Sequence, residues 1–167
     1  VYQYFNESGN NIGNKVRDVS KKNFWVEGNI SDASLFGQNI FASGGKYITI
    51  TEGEIDAMSA YELLGSKWAC VSIKTGAGSA LKDCRQAFEY LDSFQNIVIC
   101  LDMDKQGREA SEKIAQLFSP NKCKIMHMEF KDANEYLKMG KRERFTQAWW
   151  NAQPYTPSGI INLADLR

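Results

Sequence analysis

The feature that most constrains this chain is the apolar run Ile97-Val98-Ile99-Cys100-Leu101, which breaks off into Asp102-Met103-Asp104. A run with no polar alternation describes a strand buried on both faces, the kind found in parallel sheets covered by helices. The surrounding chain supplies the units such a sheet needs. Residues 47–51 are a short β-branched run. Residues 54–64 carry apolar side chains at helical spacing through Ile55, Met58, Tyr61 and Leu64, with Gly65 as the stop. Residues 68–73 read as the next strand, Thr75-Gly76-Ala77-Gly78-Ser79 as a strand-helix turn with Ser79 as N-cap, and residues 81–91 as an amphipathic helix. A helix over 108–118 closed by Pro120 and a fourth strand over 123–128 follow. Repeated strand-helix units imply an α/β fold, a parallel sheet with right-handed crossovers and helices on its faces.

The flanks have a different rhythm. Residues 1–45 are rich in Asn, Gly and Ser and carry short alternating stretches, which predicts a small β-rich N-terminal subdomain with turns at Ser8-Gly9-Asn10 and Glu27-Gly28-Asn29. Residues 46–151 hold the α/β units and end in helical sequence from Asp132. Residues 152–167, with Pro154 and Pro157, read as the start of a linker. The first residue is not Met and residues 162–167 are charged and helix-like, the pattern expected of a piece of a longer polypeptide.

Twenty basic residues balance twenty acidic ones, so any nucleic-acid contact must come from local clustering of Lys and Arg. Cys70, Cys84, Cys100 and Cys123 form no C-x-x-C pair, which argues against structural zinc and against a disulfide framework. Three of them lie in apolar runs and read as buried free thiols, and the N-terminus has no signal-peptide layout, so a reducing, cytoplasmic compartment is expected. No stretch has the length of apolar residues a membrane helix needs, so no membrane partner is expected.

In open parallel sheets, ligands bind beyond the carboxyl ends of the strands. Two strands here end in acid, one at Glu52-Gly53-Glu54-Ile55-Asp56 and one at Asp102-Met103-Asp104. Asp102 and Asp104 are two apart, so their carboxylates point the same way and repel unless a cation neutralises them. A hard, oxygen-seeking ion such as Mg²⁺ suits this set. Acids that open a helix also gain from its dipole with no metal, and spacing alone does not separate the two. An EF-hand loop from Asp102 would place Gly107 correctly but would need a Glu where Lys113 stands. A phosphatase with Asp102 as nucleophile is the alternative on the same residues.

The Glu after one strand and Asp-x-Asp after a later one resemble the signature of the Toprim domain of topoisomerases and primases. Val16-Arg17-Asp18, Glu52-Gly53-Glu54-Ile55-Asp56, Asp102-Met103-Asp104 and Lys131-Asp132-Ala133-Asn134-Glu135 resemble, in order, the motifs of the primase half of phage-type, Twinkle-like primase-helicases. The resemblance implies a Toprim-type sheet and a DNA-dependent primase core that makes short RNA primers by nucleotidyl transfer. It implies Mg²⁺ or Mn²⁺ on Asp102 and Asp104, with Glu52 as ligand or base and Asp56 and Asp132 supporting or sharing the metals. Incoming nucleotide would meet Lys15, Arg17 and Lys21. Implied partners are a single-stranded DNA template, ribonucleoside triphosphates, a replicative DNA polymerase, and a zinc-binding module and hexameric helicase in the same polypeptide. For a viral protein the compartment is the host cytoplasm. A catalytically silent module gripping single-stranded DNA, or a metal-dependent phosphatase or nuclease, would use the same acids. Phe24-Trp25 and Trp149-Trp150 could stack on bases, but such pairs read first as core or cross-strand packing, and His127 as a packed strand residue.

Overall fold

The computed structural model describes residues 1–157. Two sheets make up the fold. Strands β1 (Tyr2–Phe5), β2 (Asn11–Asp18) and β3 (Asn23–Gly28) form an antiparallel sheet in that order. Strands β4 (Tyr47–Thr51), β5 (Ala69–Ser72), β6 (Asn96–Cys100), β7 (Cys123–Ile125) and β8 (Gln153–Pro154) form the second, in the order β5-β4-β6-β7-β8. The first four of these are mutually parallel, and β8 runs antiparallel on the β7 edge.

The aliphatic side chains of β6 alternate between two buried layers, which is why that strand shows no polar alternation, whereas in β4 the buried Thr49 and Thr51 alternate with Ile48 and Ile50. On one face Ile48, Ile50, Ile97 and Ile99 meet α2 (Ala80–Gln86), α3 (Phe88–Asp92) and α4 (Lys105–Ala115). On the other, Val98 and Cys100 meet α1 (Glu54–Leu63), α5 (Ala133–Lys138) and α6 (Arg142–Trp150). Trp149 anchors α6 by donating its indole N–H to Thr49 Oγ1 of β4 at 2.9 Å. All four cysteines are buried free thiols, and burial pushes Cys70 up to about 12. Among the described residues, no helix is long and apolar enough to cross a membrane.

The chain leaves β4 through α1 on one face and leaves β6 through α4 on the other. The crevice between the ends of β4 and β6 is therefore a topological switch point, where open α/β sheets bind their ligands.

Several local expectations give way. The helix expected over 81–91 is two, α2 and α3, because the backbone tightens at Ala87 (φ −96°, ψ 16°). The stretch read as linker begins with β8, where Pro154 is tolerated because it sits on an edge strand. Residues 158–167, including the helix-like end, lie outside the described residues. Ser79 makes no N-cap bond; its hydroxyl is turned to Gly76 O and the Asp83 carboxylate, and residues Ala77–Ser79 form a 3-10 turn. β7 ends at Ile125, so His127 is exposed rather than packed.

Candidate metal centre

Glu52 follows β4 and Asp102 follows β6, and the register of these two strands sets Thr51 beside Cys100. The acids are thereby delivered side by side. Carboxylate oxygens of Glu52, Asp102 and Asp104 lie within 4.8 Å of one another, and so do oxygens of Asp56, Asp102 and Asp132. Asp102 belongs to both groups.

Three of the acids are aimed by backbone donors. Asp104 is the N-cap of α4 and accepts the Gly107 N–H at 2.7 Å. Asp132 caps α5 through the Glu135 N–H at 2.9 Å, and Asp56 accepts the Asn134 N–H at 3.1 Å. The Met103 N–H reaches Lys131 O at 2.9 Å, tying the Asp-x-Asp segment to the Asp132 turn. Gly107 is required here, because a Cβ on it would collide with the Asp102 carbonyl. Capping and metal binding are thus compatible uses of Asp104 and Asp132, since each cap engages one oxygen.

The cluster is electrostatically uncompensated. Burial, then Asp102 and Asp104, push Glu52 up to about 7. Burial, then Asp132, push Asp56 up to about 7. Asp102 is raised by burial and by Asp132 and Asp104, against Lys131, whose ammonium is 3.9 Å away and largely solvated. Glu52 Oε1 is buried and has no hydrogen-bond partner. A group of converging carboxylates, one with an orphaned oxygen, is the donor set of a hard divalent cation. Zinc would be poorly served, since neither group contains His or Cys.

Opposite this acidic edge stands the three-stranded sheet. Tyr2 pairs with Lys15 and Arg17 pairs with Phe24, so these four side chains share one face, and all four line an open cleft of about 630 Å³ with Glu52 and Asp102. Lys15 is tied down: its ammonium donates to Glu54 Oε1 at 2.8 Å and to Lys74 O at 3.0 Å. Glu54, 4% exposed, also accepts the Tyr4 hydroxyl at 2.5 Å. From the first turn of α1 it thereby joins the two sheets. Arg17 keeps its Nε buried and unpaired. Lys21 sits exposed in the turn between β2 and β3 and does not line the cleft. Sequence reasoning missed Tyr4, the tie of Glu54 to it and the place of Phe24 in the cleft, since these depend on a partner 50 residues away or on a neighbouring strand.

A family model described as Toprim-like matches residues 49–137, the interval that contains every carboxylate of both groups. The chain belongs to the Toprim-like family. Its sequence is 38% identical over 167 residues to the DNA helicase/primase of Enterobacteria phage T3, covering 100% of this chain and 29% of that protein. It is 30% identical over 139 residues to the chloroplastic/mitochondrial Twinkle homolog protein of Arabidopsis thaliana, covering 71% of this chain and 19% of that protein. A solved bacteriophage T7 structure contains primase domains of two subunits bound to an RNA/DNA hybrid and dTTP, interacting with the lagging-strand DNA polymerase. This chain matches it with a TM-score of 0.83 and 40% identity, over 92% of this chain and 78% of that one. Within the Toprim-like family the chain thus stands with the primase portion of phage-type primase-helicases, and it spans under a third of either curated relative.

Proposed function

We propose that this chain is the RNA-primer-synthesising core of a primase-helicase, joining ribonucleotides on a single-stranded DNA template with Mg²⁺ or Mn²⁺. The observation that carries the reading is the pairing of two carboxylate groups sharing Asp102 with a cationic wall across one cleft. Asp102 and Asp104 would hold the cation, with Asp56 and Asp132 supporting or sharing the metals through the second group around Asp102. A bound divalent cation would polarise the α-phosphate and offset the triphosphate's charge. Glu52 would serve as a further ligand or as the base that takes the proton of the attacking 3′-hydroxyl, and its unpartnered oxygen supports either role. Arg17 presents fixed positive charge to the phosphates, and Lys15 has one donor left after Glu54 and Lys74. Lys21 reaches the nucleotide only if the turn that carries it moves toward the cleft.

The assignment extends to partners by relationship. Single-stranded DNA, a replicative DNA polymerase, and a zinc-binding module and hexameric helicase carried on the same polypeptide are the expected associates.

The test is product analysis with the intact polypeptide, single-stranded DNA, ribonucleoside triphosphates and Mg²⁺. A dinucleotide bearing a 5′-triphosphate, lost on chelation, supports primer synthesis. Released phosphate or cut DNA without joining would assign the acids to hydrolysis, and binding with neither product would make this a silent DNA-gripping module.

A further inference from the structure

Phe24 is 52% exposed, yet it sits on the inner face of the three-stranded sheet. The small core under that sheet, built on Tyr4, Ile30 and Ala33 with Tyr2, Ile12 and Phe36 packed against it, does not include Phe24. Folding therefore leaves the ring in the cleft, outside that buried cluster. It does have cationic neighbours: Lys15 Nζ lies 5.5 Å from the ring centroid and the Arg17 guanidinium carbon 5.4 Å. Trp25, the next residue, is also exposed but points to the other face and donates its indole N–H to Glu27. Of the two adjacent aromatic residues, only Phe24 lines the cleft that holds Glu52 and Asp102.

We propose that Phe24 is the base-stacking residue of this cleft, its ring receiving the purine or pyrimidine of a ribonucleoside triphosphate whose phosphates lie between Arg17 and the carboxylates. The proposal rests on the reading of the cleft as a nucleotide site. An aromatic face accepts any base, and the cations beside it meet phosphate charge. A ribonucleoside triphosphate brings a base and concentrated negative charge on one small molecule, which is what an aromatic ring with two cations beside it, across from an acidic edge, can take. A template base brings only the charge of its own backbone phosphate.

The experiment measures direct binding of a non-hydrolysable ribonucleoside triphosphate with Mg²⁺, and of single-stranded DNA, by the intact polypeptide carrying Phe24→Tyr, Phe24→Leu or Phe24→Ala. Leu and Ala should weaken triphosphate binding by about 5- to 150-fold. Tyr should stay within about twofold, since it keeps the aromatic face. DNA affinity and melting temperature should be unchanged in all three. Leu binding as tightly as Phe would overturn the proposal, because apolar bulk alone would then suffice. A loss confined to DNA affinity would overturn it by making the template base the occupant. Binding is read without turnover, so a parent protein that binds triphosphate but joins nothing counts against primer synthesis alone. A parent that binds no triphosphate overturns both.

Discussion

Two acids two residues apart, Glu52 and Glu54, meet opposite fates, and the contrast divides the molecule into its two walls. Glu54 is buried, and its Oε1 accepts both the Tyr4 hydroxyl and the Lys15 ammonium. Glu52 is half-buried among other carboxylates and keeps an oxygen with no partner. One acid docks the three-stranded sheet onto the Toprim-like sheet; the other is left for something the chain does not supply. The walls differ likewise in support. The acidic edge grows from strands packed on both faces, whereas every residue of β3 in the cationic wall is exposed. Preorganisation is thus concentrated on the side that must hold converging charges against their repulsion.

The contrast is broken most severely at Asp102, the member common to both carboxylate groups. Asp102→Ala should lower primer synthesis by about 10³-fold, the scale of several kcal/mol of lost metal-assisted stabilisation. Circular dichroism should show the fold intact, since the removed group is one that repels its neighbours. A rate near that of the parent would mean the shared carboxylate is not part of the reaction. Next comes Gly107→Ala, which forces a methyl group against the Asp102 carbonyl. It should cost about 1–3 kcal/mol in urea unfolding and weaken Mg²⁺ binding together, as overpacking displaces the segment that carries the acids.

Tyr4→Phe tests the matched acid. Removing one hydrogen bond to a buried charged group should cost about 1.5–3 kcal/mol. Triphosphate affinity should fall with it if Glu54 steadies Lys15, and stay put if the bond only docks the two sheets. A last contrast is in pH dependence. Glu52 rises from 4.5 to about 7 and Asp56 from 3.8 to about 7 in the folded chain. The folded state then holds protons the unfolded state has released, so the metal-free protein should lose stability as pH climbs from about 4 through about 7. Mg²⁺ should restore the loss above pH 7, and melting curves recorded with Mg²⁺ and with chelator will show it. A flat metal-free profile would mean the carboxylates do not repel as the geometry implies.

The acidic wall was legible because its signals are local. An unbroken apolar run followed by acid fixes both the strand and the edge, and the parallel register then brings Glu52 to Asp102. Asp56 and Asp132 were legible only through family resemblance, since their meeting depends on α1 and α5 packing together across 76 residues of chain. The cationic wall was read in part. Alternation placed Lys15 and Arg17 on one face, but nothing local says that Lys15 is spoken for by Glu54, or that Lys21 falls outside the cleft. Phe24 and Trp25 look alike in sequence; only the sheet's orientation separates the ring in the cleft from the ring in solvent. The break at Ala87 and the strand at Gln153–Pro154 escaped for the same reason, since apolar periodicity runs through the first and the second exists only by pairing with β7.

The most direct measurement is anomalous diffraction from crystals of the protein soaked in Mn²⁺. The account predicts a peak among Glu52, Asp102 and Asp104, with any second ion across Asp102 toward Asp56 and Asp132. Crystals with no peak between Glu52 and Asp102, or with Mn²⁺ bound only elsewhere on the surface, would contradict it.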